Sequence, residues 1–187
     1  MKLMTMWKKA FSFLKKHKRI VLISLIVLFI SIMFFEQLKK IIFMVVFIAV
    51  ASISKLYHKI IKSTVVIDFV LFVTLLTSLV YDNKLLGYVV GYSSVIISDY
   101  LASKLNHHSL VSLLGMTFVV FVSTFLSFLP LTIAMVILVI LYEIYASVVY
   151  SIMGSPVNQI IIFLISHFIS NMIMIFSFAP ILSLSMI

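Results

Sequence analysis

The chain has 187 residues, of which 64% are hydrophobic and 10% charged, with a net charge of +9 and a mean hydropathy of +1.32. Five carboxylates are too few to cover a soluble domain of this size, so most of the surface is expected to face lipid. The absence of cysteine excludes disulfides, thiolate nucleophiles and cysteine-ligated metals. Twelve of the fourteen Lys and Arg residues lie at or before Lys62, a distribution that flanks membrane spans and offers no basic face for nucleic acid.

Residues 1–19 carry seven cations. Met4, Trp7, Phe11 and Leu14 recur at spacings of three and four and share one helical face, while Lys8, Lys9, Lys15, Lys16 and Lys18 fall mostly elsewhere. This pattern predicts a basic amphipathic helix, lying on an anionic membrane surface or docking an acidic partner. Residues 20–35 form an uninterrupted apolar run with no cleavage site after it, read as a span or a tilted anchor. Residues 1–40 are accordingly expected to precede a six-helix transmembrane core at 41–187.

Six further apolar segments are predicted at about 41–57, 64–81, 85–102, 109–129, 131–153 and 157–185. Their breaks are His58, Lys59 and Lys62; Tyr81-Asp82-Asn83-Lys84; Lys104 to Ser109, with the wet pair His107-His108; Pro130; and Gly154-Ser155-Pro156. Pro180 is expected to kink or end the last segment. The runs do not alternate apolar and polar residues, which argues against a β-barrel. The expected fold is all-α, a polytopic bundle of six or seven spans. With seven spans and a cytoplasmic N-terminus, eleven cations fall inside and three outside.

Glu143 is the most informative residue, because an ionisable group in mid-span costs about 2.5–3.5 kcal/mol on insertion scales. No Lys or Arg follows Lys104 to pair with it. Glu143 lies eleven residues before Gly154 and His167 thirteen after it, so a hairpin brings them to similar depth. Asn171 shares the His167 face, and Ser147 and Ser151 extend that of Glu143. Two readings stand: a buried polar site for a solute or proton, or an interhelical hydrogen bond that locks the hairpin.

Gly87, Gly91, Ser94, Ser98 and Ala102 form a stripe of small residues expected to pack against protein, within the chain or against another subunit. Tyr88 and Tyr92 line the neighbouring face as candidate aromatic walls. Asp99 lies near a span end, at headgroup level. Asp68 sits one turn into its span, poised to snorkel or to pair with Lys62 or His58. No catalytic constellation emerges. Gly91-Tyr92-Ser93-Ser94-Val95 lacks the second glycine of G-x-S-x-G, and His107-His108 lacks metal-ligand spacing. No catalytic residue, metal or cofactor is therefore expected.

Ile67-Asp68-Phe69-Val70-Leu71-Phe72, Tyr81, Gly87-Tyr88-Val89-Val90-Gly91 and Ile97-Ser98-Asp99-Tyr100-Leu101 resemble the substrate-capture subunits (S-components) of energy-coupling-factor transporters. The final segment, with His167, Asn171 and Pro180, is similar to that family's last helix. The same stretch is similar, more weakly, to the rod-shape-determining membrane protein family. The first resemblance implies capture of a small solute for uptake, with Glu143, His167, Asn171, Tyr88 and Tyr92 as binding residues. It also implies ATPase subunits as partners. The competing expectation is a non-catalytic structural or assembly subunit among other membrane subunits. Both place the chain in the plasma membrane, in contact with lipid and not nucleic acid.

Overall fold

The computed structural model describes residues 18–56, 67–103 and 107–187. They form six helices and, among the described residues, no strand: α1 Lys18–Ser54, α2 Val70–Val80, α3 Lys84–Leu101, α4 His107–Ser123, α5 Leu131–Ile152 and α6 Val157–Met186. Among the described residues, three helical segments are long and apolar enough to cross a membrane: Phe34–Ser54, Leu131–Ile152 and Val157–Met186. The amphipathic reading of residues 1–17 lies outside the described residues, as do His58, Lys59, Lys62 and Lys104.

The chain divides into two compact units, Met1–Ile41 and Ile42–Ile187. α1 runs without a break through Glu36, Lys39 and Lys40, where the sequence pointed to a turn between two spans. Charged residues interrupt an apolar run without interrupting a helix, since Glu, Gln and Lys are good helix formers and no Gly or Pro intervenes.

In the second unit, α2 is the hub. Every residue from Val70 to Ser78 is buried, and α2 packs on α3, α4, α5 and α6. At eleven residues it is about 16 Å long, roughly half a bilayer's hydrocarbon thickness. Its hydroxyls are satisfied within the protein: Thr74 donates to Val70 O at 2.7 Å, Thr77 to Val73 O at 2.7 Å, and Ser78 Oγ meets Ser123 Oγ of α4 at 2.9 Å. Residues 67–69 are not helical, so the helix begins later than its apolar pattern suggests. The reason is Asp68, whose Oδ1 accepts the Val70 N–H at 2.8 Å and competes with the helical register.

The outward faces of the long helices are apolar. Ile140, Ile144 and Val148 on α5, with Ile161, Ile165, Ile169 and Ile173 on α6, are all exposed at spacings of four. A solvated bundle would carry charge there, whereas a lipid-facing one would not.

Tight helix ends join these elements. After α2, Asp82 takes φ 44°, Asp82 N–H donates to Leu79 O and Asn83 N–H to Ser78 O. Asn83 then caps α3, its Oδ1 accepting from Leu85 N–H at 2.9 Å. After α5, Gly154 takes φ +76°, with Gly154 N–H on Ser151 O and Ser155 N–H on Tyr150 O, a Schellman closure. α4 starts at His107, so the His107-His108 pair belongs to a helix and not to a loop. α6 continues past Pro180 to Met186, so that proline does not end it. A missing N–H removes one ladder bond from thirty residues of helix, too little to terminate it where the segment is otherwise apolar.

Candidate functional site

The α5–α6 hairpin brings Glu143 and His167 into contact. His167 Nδ1 lies 2.5 Å from Glu143 Oε1, and both residues are buried. Similar distances from the Gly154 turn, eleven and thirteen residues, put them at a similar level, and the buried faces of both helices turn them toward each other. Asn171, one turn along α6, donates from Nδ2 to His167 O at 2.9 Å, and the same nitrogen lies 3.3 Å from His167 Nε2. An amide nitrogen only donates, so His167 Nε2 accepts and the imidazole carries its proton on Nδ1, directed at Glu143. The order of donation is Asn171 to His167 to Glu143.

Two acceptors remain over. Glu143 Oε2 and Asn171 Oδ1 are buried and have no hydrogen-bond partner among the described residues. Ser147 and Ser151 do not supply one. Ser147 donates to Ile144 O and Ser151 to Ser147 O, both within α5 and away from the buried face.

Aromatic rings enclose the imidazole, but they are not the two expected from the sequence. Phe163 stacks on His167 with centroids 5.3 Å apart and planes at 11°, and Tyr142 leans on it at 5.4 Å. Tyr142 reaches that position because Gly115 on α4 leaves room for it. A Cβ at Gly115 would stand 2.6 Å from Tyr142 Cε2 and 2.9 Å from Tyr145 Cε1. Tyr88 and Tyr92 instead stack on each other at 5.8 Å, and the Tyr92 hydroxyl meets Thr117 Oγ1 at 2.7 Å. They belong to the α3–α4 contact.

The small-residue stripe of α3 is buried at all five positions, Gly87, Gly91, Ser94, Ser98 and Ala102. It faces protein within the chain. A Cβ at Gly87 would lie 2.8 Å from Ser78 Cβ and 3.3 Å from Val120 Cγ1, and one at Gly91 would lie 3.0 Å from Thr74. Ser94 Oγ is buried without a partner among the described residues.

A second polar centre was not foreseen. Lys55 Nζ lies 3.1 Å from Asp99 Oδ1 and 3.3 Å from Asp68 Oδ2, with both aspartates buried. Asp99, near the end of its helix, is thus paired within the protein, and Asp68 shares that lysine; Lys62 and His58, the partners expected from proximity, lie outside the described residues. The helix ends explain the arrangement. Lys55 follows the carbonyl end of α1 and Asp68 precedes the amide end of α2, both favourable positions for their charges. Asp99 sits near the carbonyl end of α3, an unfavourable place that Lys55 offsets. Ser54 adds a tie by accepting the Phe69 N–H at 3.3 Å.

Among the described residues, no three His, Asp or Glu side chains are grouped to hold a metal ion. Glu143, His167 and Asn171 form an acceptor-rich polar site enclosed by aromatic rings, able to bind a hydrogen-bond donor or to hold a proton. No protein-family model, curated protein or solved structure matches the chain.

Proposed function

We propose that this chain is a multi-pass subunit of the plasma membrane that captures a small solute for uptake within a larger transport complex. The observation that carries the reading is Glu143, a buried carboxyl with one oxygen bonded to His167 and the other without a partner among the described residues. A residue kept only to fasten two helices has no need of a second, unsatisfied oxygen, because buried polar groups are costly unless paired. An intramembrane ionisable group held by an imidazole and ringed by aromatics fits a binding site.

The chain has no phosphate-binding loop in its sequence, so energy from ATP would enter through partner subunits. The N-terminal seven-cation cluster supports a reading in which residues 1–19 lie on the cytoplasmic face. Labelling of a single cysteine at Ser12 in intact cells tests that placement, and ready modification by an impermeant reagent would refute it.

The competing reading, a structural or assembly subunit, draws on the bonds that His167 and Asn171 make within the chain. Purification of the native complex separates the two. Capture requires co-purifying ATPase subunits, and it requires solute uptake by that complex to fall in Glu143→Gln while assembly persists. A complex without ATPase subunits, or unchanged uptake in Glu143→Gln, would leave the structural reading standing.

A further inference from the structure

Resting on the capture reading, we infer that the solute bound at Glu143, His167 and Asn171 presents a positively charged nitrogen bearing N–H donors, the chemistry of an ammonium, amidinium or guanidinium group. Four observations converge on this class. Both unsatisfied atoms of the site, Glu143 Oε2 and Asn171 Oδ1, are acceptors. The Asn171 amide cannot be turned to offer a donor instead, because its Nδ2 already donates to the His167 carbonyl and an oxygen there would face another oxygen.

His167 has no donor to spare either, since its Nδ1 faces Glu143 and its Nε2 faces the Asn171 nitrogen. An anionic solute would meet a carboxyl and a carbonyl with nothing to donate to it. Finally, the sequence holds no Lys or Arg after Lys104, so α5 and α6 supply no permanently charged cation to neutralise Glu143. A charged N–H donor completes the hydrogen bonding and the charge together. The rings of Tyr142 and Phe163 beside His167 add faces of the kind that attract cations.

The test uses the full-length protein in detergent, with thermal unfolding read in the presence of methylammonium, tetramethylammonium or acetate at matched ionic strength. Methylammonium has both charge and N–H donors, tetramethylammonium has charge alone, and acetate is an anion. The expected result is a rise in melting temperature of about 2–4 °C with methylammonium near saturation, and none with the other two. The rise should vanish in Glu143→Gln and persist, reduced, in Glu143→Asp, which guards against a Gln variant that fails to fold. Stabilisation by acetate that depends on Glu143 would overturn the donor class and leave capture intact. An equal response to tetramethylammonium would overturn the N–H requirement. No response to any probe, the outcome expected of a site that holds only water, would overturn the class, with uptake by Glu143→Gln deciding capture separately.

Discussion

Replacing Lys55 by methionine should be among the most damaging single changes in this protein. Methionine approximates the length and flexibility of the lysine stem, so the substitution removes the charge while largely keeping the volume. What it leaves behind is the two carboxylates of Asp68 and Asp99, 8% and 7% exposed, without their shared cation. Each lay within 3.3 Å of Lys55 Nζ. At the effective dielectric of a partly buried site, such a contact is worth several kcal/mol gross, most of it cancelled by desolvation in the intact cluster. Removing one partner leaves the desolvation cost uncompensated, and the expected loss is about 3–5 kcal/mol.

Thermal unfolding in detergent measures the effect, which should be a lowering of about 6–20 °C for a chain of this size if unfolding is cooperative. The triple change Lys55→Met, Asp68→Asn, Asp99→Asn removes all three charges and should recover much of the loss. The recovery has a limit, because Asp68 also caps Val70 and an amide oxygen accepts that N–H less strongly. If Lys55→Met melts with the wild type, the ion cluster is not holding the α1, α2 and α3 ends. If the triple variant is worse than the single one, the charge argument fails.

Other substitutions test the packing and the candidate site. Gly91→Leu should cost about 1–3 kcal/mol by driving a side chain into Thr74, while Val89→Leu on the exposed side of the same helix should be near neutral; equal melting in detergent would deny the buried stripe. Gly115→Ala should cost a similar 1–3 kcal/mol by displacing Tyr142, and tyrosine fluorescence or near-UV dichroism should change with it. Glu143→Gln and His167→Ala should be non-additive by about 0.5–3 kcal/mol in a double-mutant cycle on stability; strict additivity would mean that the 2.5 Å contact carries no energy.

The Glu143–His167 contact was legible in the sequence because one tight turn at Gly154 joins the end of one helix to the start of the next, so counting residues from it in both directions measures depth. The stripe on α3 was legible because small residues at helical spacing allow one kind of packing. The Lys55 cluster was not, since its members are separated by 13 and 44 positions, and local proximity pointed to Lys62 and His58 instead. Only the placement of three helix ends brings these charges together. The aromatic enclosure was hidden for a related reason. Tyr88 and Tyr92 stood out beside a glycine stripe, whereas Tyr142 and Phe163 look like ordinary apolar residues in apolar runs. Gly115 was the one available signal, an isolated glycine in a helix that marks a close approach by a bulky ring. The unbroken α1 escaped notice because Glu36, Gln37, Lys39 and Lys40 are read as a boundary by hydropathy and as good helix formers by propensity.

The burial of α2 on every side has a consequence for how the protein is made. The ribosome delivers this helix early, yet all four helices that cover it, α3, α4, α5 and α6, emerge later, the last about a hundred residues on. At typical synthesis rates of about 5–20 residues per second, α2 waits roughly 5–20 s before its enclosure is complete. Thr74 and Thr77 can wait safely, because their hydroxyls are bonded to carbonyls of their own helix. Ser78 must wait for Ser123, and Asp68 has Lys55 before Asp99 arrives. A helix too short to cross a bilayer alone therefore depends during biogenesis on a shelter that its own chain has not yet supplied, which makes it the natural client of the insertion machinery in this protein.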